Sequence, residues 1–314
     1  LPKLNIMNYI RIARPDHWVK NLLIYPGTLC VIFLVGYHES ILQLVFRLAL
    51  VFSATCLIAS ANYVINEWLD AKSDLFHPTK KLRSMVQNTI NVKWIIIEYF
   101  LLAFCGLVLS LLISMYCFYC ELWLLVMGII YNVKPVRTKD IPYIDVLSES
   151  INNVIRLLLG WFAVTSVYLP PATIVFGFWF GGAFLMAIKR YSEYRMIKDK
   201  EKAGFYRKSF IYYTEQSLLV SSFFYALCSL FLCGIFIIKY KIELLLTIPF
   251  LCGLFCVYLN MAFKEDSAVQ KPEKLYNDKG LLLYIILLVI VFTISLAINI
   301  PALHFFLNST IIRI

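Results

Sequence analysis

Apolar residues in this chain are gathered into nine runs, at 17–36, 41–65, 94–116, 118–132, 143–166, 171–188, 212–238, 243–263 and 280–300, separated by segments that hold most of the charge. A run of about 20 apolar residues matches the hydrocarbon thickness of a bilayer. Short of a closed barrel, only a helix satisfies its own backbone N–H and C=O groups there. The pattern predicts an all-α polytopic membrane protein, a bundle of about nine transmembrane helices. The fourth run is short for a crossing. No internal repeat, low-complexity tract or linker interrupts the series, so residues 1–314 read as one transmembrane helical domain.

The polar positions add a direction. Of the 29 Lys and Arg residues, 24 fall before or at the start of the first run, or in the segments after the second, fourth, sixth and eighth. The others are Arg47, Arg156, Lys239, Lys241 and Arg313. Cytoplasmic loops retain Lys and Arg, so the N-terminus is expected inside, the C-terminus outside, and the charged face on the cytoplasmic side of a cell membrane. Segments 66–93 and 189–211 are longer than their counterparts and carry most of the acidic clusters too. The first 20 residues, with Lys3, Arg11 and Arg14, show no short apolar stretch followed by a small-residue cleavage site, so no removable signal peptide is expected.

Composition agrees with this picture: 61% of residues are apolar, 15% are charged and the mean hydropathy is +0.77. The net charge of +10 does not call for nucleic acid, because the basic residues lie between apolar runs. Nine cysteines are dispersed, mostly within those runs, and Cys117 and Cys120 lack the second pair a zinc site needs. Buried, inert thiols are expected.

Chemistry concentrates where the second run ends, in NYVINEWLDAKSDLFHPTKKLRS. Asn66, Asp70 and Asp74 are spaced four apart and share a helix face; Glu67, Asp70 and Asp74 follow an i, i+3, i+7 pattern. Magnesium takes oxygen ligands, usually one or two carboxylates with water and phosphates completing the shell. The spacing suits a clamp for magnesium and a diphosphate, although an acidic, solvated helix end has the same pattern. Pro78 should end any helix, and Lys80, Lys81 and Arg83 follow it. Basic beside acidic residues suit a polyanion held through metal and by direct charge, and suit equally a positive-inside loop.

Other charges stand at the ends of further runs. RPDHWVKN places Arg14, Trp18 and Lys20 at the start of the first, Trp18 as an interfacial anchor and Lys20 as a snorkelling or phosphate-binding side chain. YNVKPVRTKDIPYIDV supplies Tyr131, Lys134, Arg137, Asp140 and Asp145, whose roles spacing does not divide. Arg156 lies inside the fifth run, where an unpaired guanidinium costs at least a few kcal/mol. It should face the bundle interior, against an anion or an intramembrane carboxylate. The sixth run ends in AIKRYSEYRMIKDKEKAGFYRKS, with Lys189 and Arg190 as an anion-binding wall and Glu193 one turn beyond Lys189.

Taken together, these segments resemble the UbiA superfamily of intramembrane prenyltransferases, bundles of nine helices whose aspartate-rich motif reads NEWLDAKSD here. RPDHWVKN, NEWLDAKSDLFHPTKKLRS, IRLLLG around Arg156, IKRYSEY and YRKSFIYYT are similar, in order, to segments of one branch, the decaprenyl-phosphate phosphoribosyltransferases. Prenyl-transferring members usually carry a second aspartate-rich motif where this chain has KRYSE. Glu67 stands where the family has aspartate and Ser84 where the branch has proline. The resemblance extends from Arg14 to about Thr214; beyond that it is one of hydropathy.

The resemblance implies transfer of a 5-phosphoribosyl group from phosphoribosyl pyrophosphate to a polyprenyl phosphate, with pyrophosphate released. It implies magnesium, or manganese, held by Asn66, Glu67, Asp70 and Asp74, which are also the candidate catalytic residues. Lys20, Lys80, Arg83, Arg156, Lys189, Arg190 and Glu193 would bind substrate. A phosphate monoester is largely ionised at neutral pH, so no general base is needed. His17, His38, His77 and His304 fall in different segments and suggest no triad. The isoprenoid tail should lie in an apolar groove open to lipid. Two other functions fit the pattern: a prenyl transfer from a prenyl diphosphate to an aromatic acceptor, and anion transport. A homo-oligomer is compatible with the sequence.

Overall fold

The computed structural model describes residues 6–37, 39–77, 79–88, 90–197, 199–264, 268–270, 275 and 277–306. Lys3, His38, Pro78, Arg313 and the side chain of His304 lie outside the described set. In chain order the α-helices are α1 (Ile6–Ala13), α2 (Tyr25–Val35), α3 (Ile41–Asp74), α4 (Ser84–Gln87), α5 (Val92–Leu111), α6 (Met115–Asn132), α7 (Ile144–Phe162), α8 (Ala172–Ile197), α9 (Lys200–Tyr206), α10 (Glu215–Tyr240), α11 (Ile248–Ala262), α12 (Lys279–Ala297) and α13 (Pro301–Phe306). The all-α expectation holds, with no strand among the described residues.

Among the described residues eight helical segments are long and apolar enough to cross a membrane. The ninth expected span is α7, a helix where expected that carries Asp145, Glu149 and Arg156 and is too charged to count by composition. The first span differs from its expected start at 17. Helical residues begin at Ile6 with α1, break at the left-handed Arg14, and resume as a 3₁₀ stretch over Pro15–Ile24 that leads into α2. Polar caps start several helices: Ser40 accepts the Leu42 N–H at 3.3 Å, Asp278 accepts that of Leu281 at 3.0 Å, and Thr214 and Ser217 form a capping box on α10.

Packing is close where α2 and the residue before it meet α7. A Cβ on Gly27 would lie 1.9 Å from the Leu157 carbonyl oxygen, and one on Gly160 would lie 1.8 Å from that of Ile24. The two backbones therefore touch, as small residues permit in membranes, and the Thr28 hydroxyl donates to the Gly160 carbonyl at 3.1 Å. Around this crossing Ile24, Val31, Ile58, Ile155, Leu159 and Trp161 form one apolar cluster; a second joins α8, α10 and α11 through Phe184, Tyr225 and Tyr258.

Helix length places the chemistry. At 1.5 Å per residue, a helix as long as α3 runs roughly 50 Å, well beyond a hydrocarbon core of about 30 Å. Its last turns, from Asn66 to Asp74, stay helical, and α3 packs against α4 and α9.

Candidate functional site

The motif on α3 presents its polar groups to three other parts of the chain. Asn62 donates to the Leu124 carbonyl at 2.9 Å, and Asn66 donates to Asn132 at 2.5 Å and to Asp70 at 3.1 Å. Gly128 makes this α3–α6 approach possible, since a Cβ there would sit 2.0 Å from the Asn62 amide oxygen. Asp70 accepts from Arg137 at 3.0 Å and from Lys139. Asp74 accepts from Arg83 at 2.7 Å. Glu67 lies 3.8 Å from Arg14 and 3.7 Å from Arg83, and its Oε2 is buried without a hydrogen-bond partner. Each carboxylate of the motif thus faces a cation from a different loop.

Those loops bend sharply to deliver their cations. Arg14, Arg137 and Tyr143 have φ of 51°, 21° and 64°, a region that side chains rarely adopt. Arg14 turns back over the Tyr63 ring and donates to His17. Lys20 lies 5.9 Å from the centre of the same ring, and Trp18 donates to Ser60 at 3.0 Å, which ties it to α3 as well as to the interface. Burial pulls the Lys139 ammonium down to about 8 despite the adjacent Asp70. It remains largely charged at neutral pH.

A second, deeper set of charges surrounds Arg190, which is 1% exposed. Its guanidinium meets Asp145 at 3.4 Å, Glu193 at 3.0 Å, Glu149, and the Tyr131 hydroxyl at 3.0 Å. Asp145 also accepts from Tyr213 at 2.7 Å and lies 3.2 Å from Arg207. Glu193 pairs with Arg190 and, at 3.0 Å, with Lys80; Lys189 turns instead to Glu149, at 3.7 Å. The i, i+4 spacing of Lys189 and Glu193 would allow an ion pair along the helix, but that pair is not the one adopted. Lys80 also donates to Tyr206. Burial opposes its charge, but Glu193 and Tyr206 more than compensate, holding it above the usual lysine range. His77 accepts the backbone N–H groups of Thr79 and Lys80 on Nδ1, each at 3.2 Å. Burial and then Lys80 push it down to about 3, so it stays neutral.

Of the expected site residues, Asn66, Glu67, Asp70, Asp74, Lys80, Arg83, Lys189, Arg190 and Glu193 share this charged end. Arg156 lies apart. It is buried within α7, donates to Asn21 at 2.8 Å and to the Asn152 carbonyl at 2.9 Å, and so faces the interior against neutral oxygens. Lys139, Glu149, Tyr206 and Tyr213 were not singled out from the sequence. For Glu149 a signal existed, a carboxylate one helical turn beyond Asp145 in an apolar run. For the tyrosines no pattern marks them. Beside the charged end a groove of about 700 Å³ between α7, α8 and α10 has Leu147, Phe180, Val220 and Phe224 along it and Thr214, Gln216 and Ser217 at one edge.

Among the described residues no three of His, Cys, Asp and Glu converge into a metal cage. The donor set nonetheless suits a hard divalent ion that takes one or two carboxylates and completes its shell with phosphate and water. The orphaned Glu67 oxygen is such a donor.

The profile of the UbiA prenyltransferase family matches residues 24–277. The chain belongs to the UbiA prenyltransferase family. Decaprenyl-phosphate phosphoribosyltransferase of Mycolicibacterium smegmatis is 26% identical over 230 residues, 69% of this chain and 66% of that protein. The protein of the same name from Corynebacterium glutamicum is 26% identical over 227 residues, 68% of this chain and 62% of that one. The match thus spans just under two thirds of the length of these relatives. A UbiA homologue from Archaeoglobus fulgidus, solved bound to GPP and Mg2+, aligns with a TM-score of 0.68 at 19% identity, covering 93% of this chain and 100% of that one. This UbiA member shares that fold across nearly its whole length.

Proposed function

We propose that this UbiA-family protein transfers a 5-phosphoribosyl group from phosphoribosyl pyrophosphate to a polyprenyl phosphate, releasing pyrophosphate. The observation that carries the reading is the KRYSE segment. Where a second acidic site would stand, α8 supplies Lys189, Arg190 and Glu193, and Lys80 from the loop after α3 closes on Glu193 at 3.0 Å. Lys80, Lys189 and Arg190, interleaved with Glu149 and Glu193 rather than with a second aspartate-rich motif, suit a donor with phosphates at both ends better than a prenyl diphosphate, whose far end is apolar. The names of the Mycolicibacterium smegmatis and Corynebacterium glutamicum relatives, which print decaprenyl phosphate and phosphoribosyl transfer, support the same acceptor class and transferred group.

In this reading Arg14, Lys20, Lys80, Arg83 and Lys189 bind the donor's phosphates. Glu193, fixed by Arg190 and Lys80, orients a ribose hydroxyl or those lysines. An acceptor phosphate oxygen attacks ribose C1, the C1–O bond to the diphosphate breaks, and pyrophosphate leaves with the electron pair. The acceptor is already ionised, its second pKa being near 6, so no side chain need take a proton. His17 and His77 are both enclosed, in keeping with this. Asn66, Glu67, Asp70 and Asp74 are the residues that would hold magnesium or manganese, which supplies charge neutralisation to the departing diphosphate. Arg156, through Asn21, orders the helix that carries Lys20. The groove along α7, α8 and α10 is a seat for part of the isoprenoid tail, since its apolar lining meets lipid at the side. With the charged end on the cytoplasmic side, the donor enters from water and the acceptor from the membrane.

The test uses purified protein, magnesium, radiolabelled phosphoribosyl pyrophosphate and a short polyprenyl phosphate. Label entering the organic phase, and lost with EDTA, is the expected result. No label transfer, together with turnover of a prenyl diphosphate and an aromatic acid, would replace this reading with prenyl transfer.

A further inference from the structure

The acidic motif is already neutralised by the protein's own cations. Asp74 is held by Arg83 at 2.7 Å, Asp70 by Arg137 at 3.0 Å and by Lys139, and Glu67 stands between Arg14 and Arg83. A divalent ion arriving alone would meet little net negative charge, and magnesium gives up water reluctantly. We propose that Arg83 is a placeholder cation: it occupies the charge position beside Asp74 and Glu67 until a diphosphate arrives, then moves to that diphosphate, so that metal and diphosphate bind together. This inference rests on the metal and diphosphate reading of the site.

Three observations single out Arg83 among the cations. It lies on the short loop between α3 and α4, with extended φ and ψ of −65° and 152°, whereas the carboxylates it touches are fixed on α3. Its approach to Glu67, 3.7 Å, is a charge contact without hydrogen-bond geometry, and the second Glu67 oxygen has no partner, so a ligand-free donor atom already waits there. Three residues earlier, Lys80 is anchored to Glu193 and Tyr206, which fixes the start of the loop while Arg83 turns. The guanidinium fork matches a phosphate in two hydrogen bonds, and a diphosphate offers more negative charge than Asp74 alone. The exchange makes and breaks no covalent bond. Its consequence is obligatory coupling: metal affinity should depend on diphosphate, and that dependence should run through Arg83.

Manganese binding to the purified full chain in detergent, followed by electron paramagnetic resonance with and without inorganic pyrophosphate, tests this without turnover. The wild type should bind manganese weakly alone and at least about tenfold more tightly with pyrophosphate, after correction for the complex formed in solution. Arg83→Gln should bind manganese alone about tenfold more tightly than the wild type, because one nearby positive charge is gone, and should lose most of the pyrophosphate effect. Arg83→Lys should stay near the wild type. Thermal unfolding of each variant checks folding, and the wild-type comparison stands without any variant. Tight manganese binding by the wild type alone, or no gain in Arg83→Gln with the pyrophosphate effect intact, overturns the placeholder. Manganese bound by no form under either condition removes the metal reading itself and this inference with it.

Discussion

Asp145→Asn keeps the shape of a side chain that has no exposed surface and removes one negative charge from between two guanidinium groups. In the wild type the carboxylate accepts from Tyr213 at 2.7 Å and from Ser209 at 3.3 Å, and it lies 3.2 Å from Arg207 and 3.4 Å from Arg190. After the change Arg190 still has Glu149 and Glu193. Arg207 keeps the Tyr131 hydroxyl, at 3.2 Å, but no carboxylate within ion-pair distance among the described residues. Breaking a buried pair by removing one partner costs about 3–5 kcal/mol, and the Tyr213 bond survives only as a neutral one, about 1 kcal/mol weaker. The expected loss is therefore about 4 kcal/mol, or roughly 8 °C at about 2 °C per kcal/mol for a chain of this size. Tryptophan fluorescence during heating in detergent measures it. Tyr213→Phe alone should cost about 1.5–3 kcal/mol, and the double variant should fall short of the sum by about 1 kcal/mol because both act on one carboxylate. A shift under about 2 °C for Asp145→Asn, or strict additivity, refutes the account of the charged end as one coupled network.

Asp70→Ala and Asp74→Ala should each lower label transfer by at least about 10²–10³-fold while the protein still elutes as a folded species; activity retained in both sinks the metal assignment. His77 is neutral in the fold, with a pKa of about 3 against 6.5 unfolded, so its stabilising contribution is complete above pH 6.5 and is lost as pH falls toward 3. Between pH 7 and 5 that amounts to about 2 kcal/mol, which should appear as a fall in unfolding temperature that His77→Asn flattens. Gly160→Leu drives a side chain into the Ile24 carbonyl and should abolish folded protein on size-exclusion chromatography, where Gly234→Leu, whose position has open space, should not. Arg156→Met should cost about 1–3 kcal/mol by leaving the Asn21 oxygen buried without its donor, read in the same heating experiment.

The spans were legible because lipid demands long apolar helices, and the α3 motif because four-residue spacing survives folding unchanged. Asn66 and Asp70, read as neighbours on one face, are hydrogen-bonded at 3.1 Å. The partners of those carboxylates were not legible. They arrive on loops whose direction is set at Arg14, Arg137 and Tyr143, where φ is positive and no propensity announces it. Arg156 drew notice by its charge, yet its partner Asn21 lies 135 positions away and is joined to it only because Gly27 and Gly160 let two backbones touch. The start of the first span was misplaced for a related reason. Pro15 opens a 3₁₀ stretch that carries Asp16 and Lys20 directly after the left-handed Arg14, so helical residues stand ahead of the point where hydropathy sees a boundary.

The length of α3 has a mechanical consequence. A single rigid rod joins the Ser40 end of the bundle to Asp74 without a break, so any tilt of the rod within the bilayer moves Asn66, Asp70 and Asp74 as a lever moves its tip. Tilt responds to hydrophobic mismatch between helix and lipid. A few degrees about a pivot near mid-membrane displaces a point about 25 Å away by roughly 1–2 Å, comparable to the difference between a held and a lost contact with Arg83, Arg137 or Lys139. The charged end of α3 should therefore respond to the thickness of the membrane around it, and reconstitution in bilayers of graded acyl length should tune label transfer through an optimum.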